Sequence, residues 1–449
     1  MSAAISRYTF LLVAVVVMAI ALPQLYDKVF AVKVARTQMF YSPVSETFVF
    51  REHFGDHNFI YRDREGNEFD RKTFETLIPF IYYKNMDIWG LLPLKLDGRS
   101  FDAPTIKSNR QVFELKPRDI VDNRPSIDIY PLLESNPGRA RLRFPEDVFR
   151  MSGDEAEFVN VDVNARDDDL TAAFTQALSQ AGFRFPARLI AGKATILKPF
   201  DEGYFAVDDT GQVFHLKRVD GRPQVVRTPI PMDIDIRHIK VSENKRRAYY
   251  GSLLTRDGKL FLISYDGYRL VELPTDGYDP DTMSYKLLMN PLYKTAIFTN
   301  RQTVKAVAMD AAFRPIDSYE RAVPGTSGML YAKVAKGLFP FAITLRDDNR
   351  SYLTWKLIWN GVVSLIGVVM SLMVYAVLVR WRGDRLGESW PDMVLIAFAG
   401  VYGLIAAIAS PPEKRYVRVP RERLDGSGHM KRNLEMSAVW CKPDAKRQK

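Results

Sequence analysis

Tyr204-Phe205-Ala206-Val207-Asp208-Asp209-Thr210-Gly211-Gln212-Val213-Phe214-His215-Leu216 decides how the middle of this chain is read. Two runs of apolar, aromatic and β-branched residues flank a turn made of Asp, Thr and Gly, which is the signature of a β-hairpin. The same figure recurs downstream. Tyr249 to Leu254 and Leu260 to Ile263 flank Asp257-Gly258, and Lys294 to Phe298 and Val304 to Met309 flank Asn300-Arg301. From Gly211 to Gly258 is 47 residues, and from Gly258 to Arg301 is 43. A return strand follows each hairpin, at Gln224-Val225-Val226, Leu270 to Leu273 and Arg314 to Tyr319.

A unit of several strands repeating at about 40–50 residues is the pattern of a propeller blade. Residues 200–320 hold three such units, and a strand pair around the turn Asp63–Gly66 is the candidate fourth. An irregular β-sandwich is the competing reading, because no unit carries a Trp-Asp or kelch consensus. Upstream, Asp70 opens a short helix through Phe74, Leu77 and Ile78 that Pro79 limits. Seven prolines over residues 84–160 predict loops and isolated strands. Asp167-Asp168-Asp169 caps a second helix, whose apolar face is Leu170, Phe174, Ala177, Leu178 and Ala181 and which Gly182 ends.

Three apolar blocks frame this β-rich region. Tyr8 to Leu22 carries no charge and continues to Tyr26, long enough for a bilayer core of about 30 Å. It reads as an uncleaved anchor over 8–26, with a signal peptide cut after Ala19-Ile20-Ala21 as the alternative. Leu357 to Val379 is bracketed by Trp355 and Trp381 and predicts a spanning helix over 356–380. The third block predicts a span over 393–410, in which Ala399, Gly403 and Ala407 fall four apart and form a helix-packing row. Arg380, Arg382 and Arg385 place the connector 381–392 in the cytoplasm together with residues 1–7, and residues 30–354 on the far side.

This topology conflicts with the tail. Residues 411–449 hold eleven Lys and Arg against five acids, +6 of the net +10, and three spans would put that charge outside. Either the third block does not cross, or the tail, with its junction-like Gly426-Ser427-Gly428-His429-Met430, is foreign to the domain; the second is the expectation adopted. With the tail set aside, no basic helix, zinc spacing or aromatic RNA-binding signature points to nucleic acid. Cys441 is the single cysteine, so no intrachain disulfide forms.

Chemistry-bearing residues are few. His53, Asp56 and His57 are the weak metal candidates, although Gly55 and strand-like neighbours favour a turn. His215 and Lys217 share a strand face, and His238 sits beside Arg237 and Lys240; both histidines read as surface strand residues. Ser242-Glu243-Asn244-Lys245 matches Ser-x-x-Lys in form but falls in a charged turn, where the lysine does not return to the serine. No catalytic residue and no cofactor is assigned.

Tyr41-Ser42-Pro43-Val44, Tyr61 to Gly66, Ile129 to Ser135, Gly182 to Gly192 and Asp201-Glu202-Gly203-Tyr204, with the one-plus-two order of spans, resemble an uncharacterised family of bacterial envelope proteins often encoded beside ABC-transporter components. The resemblance covers about residues 1–410 and carries no catalytic residues with it. It implies a multi-pass protein of the bacterial inner membrane with a β-rich, propeller-like periplasmic domain, a few short helices and three transmembrane helices. The expected function is that of a non-enzymatic accessory subunit. Its partners would be a permease-type subunit, membrane lipid and a periplasmic protein or cargo. An envelope hydrolase or metal-dependent periplasmic enzyme is the alternative.

Overall fold

The hairpin at 204–216 forms in register. Tyr204–Val207 pairs antiparallel with Val213–Val219, placing Phe205 opposite His215 and Val207 opposite Val213. Asp208 closes the turn: its Oδ1 accepts from the backbone N–H groups of Thr210 (2.8 Å) and Gln212 (2.9 Å), an Asx-type turn. All four residues of Tyr204–Val207 are buried, so the strand is covered on both faces, which is why it is apolar at every position rather than at alternate ones.

The computed structural model describes residues 2–30, 36–55, 58–323, 330–345, 347, 349–383, 386–411, 421–424 and 430–433. The chain divides into a β-rich unit (30–332 and 344–356) and a helical unit (1–29, 333–343 and 357–449).

Among the described residues the β-rich unit holds a small two-stranded sheet, Leu94–Leu96 with Arg99–Phe101, and five larger antiparallel sheets whose neighbouring strands are consecutive in sequence apart from one strand added to the fifth. The first is Arg36–Tyr41, Phe48–His53, Phe59–Asp63 and Glu68–Phe69. The second is Asp147–Ser152, Glu155–Asn160 and Ala165–Asp167, backed by the helix Asp168–Gln180. The third adds Leu189–Gly192 and Arg222–Arg227 to the two strands above. The fourth is Ile236–Val241, Tyr249–Thr255, Leu260–Ser264 and Leu270–Leu273. The fifth is Ser284–Met289, Lys294–Thr299, Thr303–Met309 and Pro315–Ala322. Each predicted hairpin and its return strand is present, and each gains a leading strand that carries no local turn signal.

Apolar clusters join the sheets one to the next. Met39 and Phe50 of the first meet Ile297 and Val304 of the fifth. The fifth meets the fourth through Phe298, Leu287, Leu254 and Leu262. The fourth meets the third through Leu253, Ile239, Phe205 and Val213. The third meets the second through Phe214, Tyr204, Phe149 and Phe158. Among the described residues no such cluster joins the second sheet back to the first, and no sheet closes as a barrel.

Both capped helices form as read. Asp70 accepts from the Thr73 N–H at 3.3 Å, and Asp167 from the Leu170 N–H at 2.9 Å. Residues 84–160 hold strands, as expected, but also helices, and their strands are paired rather than isolated. They hold helices at Tyr83–Ile88 and Ala103–Asn109, and Gln111–Leu115 pairs with Ser284–Met289 as a fifth strand of the last sheet. The partner lies about 170 residues away in sequence, out of reach of any local pattern.

In the helical unit, Ser2–Phe30 is one continuous helix containing the predicted 8–26. The helix expected over 356–380 begins later. Lys356–Trp359 is a strand, Gly361 takes φ +69°, and the helix proper is Leu365–Trp381. Asn360 sets the break by donating its side-chain N–H to Phe339 O at 2.8 Å. Among the described residues two helices are long and apolar enough to cross a membrane, Ile5–Phe30 and Val362–Trp381.

The third span is corrected. Residues 393–410 do not form one helix: Trp390–Ala399 ends at Gly400, whose φ of +55° and ψ of −130° reverse the chain, and Val401–Ala409 runs back against it. A Cβ at Gly403 would lie 2.9 Å from Ile396 Cα, a contact that a straight helix cannot make across seven residues. Each arm rises only about 14–15 Å at 1.5 Å per residue, half of a bilayer core.

Ala399, Gly403 and Ala407 therefore do not form one stripe. Ala399 packs with Leu11, Val15 and Ala19 of the first helix, Ala407 with Tyr375 and Val379 of the second, and Gly403 on the preceding arm. Both ends of the hairpin are tied to one residue. Arg7 Nη2 pairs with Asp392 Oδ2 at 2.8 Å and Arg7 Nε donates to Ser410 O at 3.0 Å, while Tyr375 OH donates to the same Asp392 oxygen at 2.7 Å.

Candidate functional site

Asp201-Glu202-Gly203-Tyr204 leads into the most buried strand of the third sheet. Gly203 takes φ +64°, and a Cβ there would lie 2.1 Å from Leu216 O, so only glycine permits the approach. The turn sends two consecutive carboxylates into separate networks. Asp201 Oδ1 accepts from Lys198 Nζ at 2.6 Å; the ammonium also reaches Glu243 Oε1 at 2.6 Å and Lys193 O at 2.7 Å, which uses all three of its N–H bonds. These three charged side chains are at most 1% exposed. Removing one member of such a group strands buried charge and costs about 3–5 kcal/mol.

Glu202 forms the second network. Its carboxylate binds Lys217 and accepts from Tyr265 OH at 2.6 Å, and its backbone carbonyl lies 2.5 Å from His215 Nε2. A carbonyl only accepts, so Nε2 carries the proton and Nδ1 accepts from Tyr268 OH at 3.0 Å. Phe205 stacks on the imidazole at 4.4 Å. Burial pushes the His215 pKa down to about 3, with Lys217 assisting and the Glu202 carbonyl opposing. His215 and Lys217 do share a face, as alternation predicts, but the histidine is 1% exposed and not a surface residue.

The first network braces a cavity of about 370 Å³, where the leading strands of the third and fourth sheets meet the added strand Gln111–Leu115. Gly192, Lys193, His238, Lys240, Arg124 and Asp119 are part of its lining. The strand Ile236–Val241 has a register shift between Ile236 and His238, a bulge of the kind that re-aims side chains. Arg237 turns to Asp281 (2.6 Å) and Asp122 (3.1 Å), while His238 goes inward and is 4% exposed. Burial lowers its pKa to about 3, aided by Arg124 and Lys240. Its Nδ1 is buried and has no hydrogen-bond partner among the described residues. Glu243 is held above its ordinary range by burial, against the pull of Lys198, and its Oε2 also lacks a hydrogen bond.

Of the weak metal candidates, His53 ends a strand and stacks on Phe59 at 4.4 Å, while Asp56 and His57 lie outside the described residues. Among the described residues no three His, Cys, Asp or Glu side chains converge as a metal-binding group. Residues 425–429 and 434–449 of the tail, including most of the junction-like stretch, also lie outside them. Ser242 lines the cavity and Glu243 supports it, so the turn that resembles Ser-x-x-Lys contributes its glutamate rather than its serine–lysine pair. Sequence reading missed Lys198, Glu243 and Arg124; the one local signal was charge packed around a glycine in Lys198-Pro199-Phe200-Asp201-Glu202-Gly203.

No curated protein matches the chain. Solved structures similar to it include PorZ, a surface component of the type-IX secretion system of Porphyromonas gingivalis. That likeness is at 11% identity and TM-score 0.20, over 65% of this chain and 32% of that one. The Cps50 (Swd1) β-propeller domain of Myceliophteria thermophila is similar at 11% identity and TM-score 0.23, over 50% of this chain and 62% of that one. The chain thus spans about a third of PorZ and under two thirds of the Cps50 domain. Residues 38–309, more than half of the chain, match the family described as "Domain of unknown function (DUF4857)", and the protein belongs to that family.

Proposed function

We propose that this protein is a non-enzymatic accessory subunit of a bacterial inner-membrane complex, holding an incomplete propeller of five sheets in the periplasm. Two crossings, Ile5–Phe30 and Val362–Trp381, anchor it, and the C-terminal hairpin enters and leaves the membrane from the cytoplasmic side. The observation that carries this reading is the division of labour on the two helices. Leu11, Val15, Ala19, Tyr375 and Val379 are buried within the chain, while Phe10, Val13, Val16, Ile366, Met370, Met373 and Val377 are exposed. Exposed apolar surface of that extent suits lipid and partner helices, not water.

An ABC-type permease is the proposed partner class, resting on the family resemblance of the ectodomain motifs. A scaffold role is supported by His215, whose two nitrogens are both engaged in structural bonds. A photo-reactive phenylalanine analogue at Met370 or Val16 in native membranes tests the assignment. The expected product is a covalent adduct to a polytopic transport permease, identified by mass spectrometry. Lipid adducts alone at both positions would remove the accessory assignment.

A further inference from the structure

The cavity around His238 has features that its structural surroundings do not use. Its cations are unevenly matched. Lys240 Nζ is held by Asp119 Oδ2 and Glu114 O, both at 2.6 Å, and the Glu114 carboxylate pairs with Lys116 at 3.3 Å. Among the described residues Lys193 pairs only with Glu243, at 3.8 Å, and that carboxylate is shared with Lys198 at 2.6 Å, which Asp201 also binds. Arg124 makes no side-chain hydrogen bond or ion pair with any described residue. Beside these stands a buried imidazole that makes no hydrogen bond with a described residue. Buried polar groups are otherwise satisfied almost without exception in folded proteins, so such a group asks for an explanation.

The remaining wall mixes apolar side chains, Val112, Phe113 and Ile239 among them, with the hydroxyls of Ser242 and Ser252. About 370 Å³ lies within the range of small-molecule sites, which pair a largely apolar lining with a few convergent polar groups. We infer that this cavity binds a small organic anion, its carboxylate received by Arg124, Lys193 and the His238 N–H and its short hydrocarbon body lying against Phe113 and Ile239. The anion supplies an acceptor for Nε2, the imidazole nitrogen that is not sealed from solute, and a countercharge for Arg124, while the sealed Nδ1 takes no part. A cation would face three basic side chains, and a neutral solute would leave the arginine unmatched. This site stands independently of the accessory-subunit reading and requires no partner protein.

The full chain contains five histidines, so selective ¹⁵N-histidine labelling in detergent gives a small set of imidazole resonances to follow. Butyrate is the probe, with 1-butanol as its uncharged counterpart and chloride as the ionic-strength control. One resonance, absent from His238→Asn, is expected to move saturably with butyrate and not with butanol or chloride. Arg124→Gln is expected to weaken that binding at least fivefold. Arg124 is exposed, so this variant keeps the test decisive if the buried histidine does not tolerate replacement. A shift of equal size with chloride, no saturable shift, or an affinity unchanged by Arg124→Gln overturns the proposal.

Discussion

His215 and His238 tie the β-rich unit to pH through the same physics. Each is held neutral by burial, with a pKa near 3 in the folded state against about 6.5 when unfolded. The unfolded chain therefore binds more protons below pH 6.5. The stability each histidine supports is complete above that value and is lost progressively as pH falls toward 3. Between pH 6.5 and 5.0 the loss is about 2 kcal/mol per histidine, while Glu243, whose pKa is raised, works in the opposite direction. Chemical denaturation from pH 7.5 to 5.0 should show stability falling with acid, and His238→Asn should flatten that slope by about half. An unchanged slope would mean that His238 does not titrate as its burial requires. Neither histidine is legible as buried in the sequence. Alternation assigns a residue to a face of its sheet, but here both faces are covered, and only the packing of neighbouring sheets fixes the depth. Asp201 and Glu202 are visible as a motif, but Glu243, which shares the Lys198 ammonium with Asp201, and Lys217, which pairs with Glu202, come from distant parts of the chain.

At the scale of elements, local signals succeeded where the cause was local. The three hairpins and the two Asp-capped helices carry their turn and cap residues within a few positions. The leading strands Leu189–Gly192 and Ile236–Val241 do not, and Gln111–Leu115 is a strand only because Ser284–Met289 gives it a ladder. The C-terminal hairpin failed for a related reason. Gly400 lies among Ala and Gly residues that look like a packing stripe, and its left-handed φ is invisible to composition. The small residues do permit close approach, but between two arms of one chain. Gly403→Leu should therefore destabilise the helical unit itself by about 1–3 kcal/mol, the usual cost of overpacking. The lipid-facing change Phe398→Leu, at a side chain 76% exposed, should have little effect. Thermal unfolding of the purified chain in detergent measures both, without any partner present. Equal melting of Gly403→Leu and the parent would show that the arms do not pack as described.

For the whole molecule, the proposed two crossings in place of three would change which side receives the basic tail. Residues 411–449, with their +6 charge, then share the side of Arg7 and of Arg380 and Arg382, as the positive-inside tendency favours. The charge conflict raised by three spans disappears without treating the tail as foreign. Cys441, the sole cysteine, is a ready-made probe of this arrangement. In intact spheroplasts a membrane-impermeant maleimide should leave Cys441 unlabelled until the membrane is permeabilised, and Ser2→Cys in a Cys441→Ser background should behave alike. Asp209→Cys in that background should label at once. Immediate labelling of Cys441 would restore the third crossing.

The bonds from Arg7 to Asp392 and Ser410 also impose a schedule. The partners are 385 and 403 positions apart in the chain. At about 5–20 residues per second of synthesis, roughly 20–80 s pass between the emergence of the arginine and that of its aspartate. On the proposed topology the first helix therefore enters the bilayer with its charge unanswered, kept near the headgroups by the reach of a long side chain. The first sheet waits about two thirds as long, since Met39 and Phe50 rest on Ile297 and Val304. Both halves of the protein are finished by segments made late. A nascent chain stalled before residue 297 holds neither contact, and one stalled between residues 356 and 392 can complete its β-rich unit while its anchor still waits.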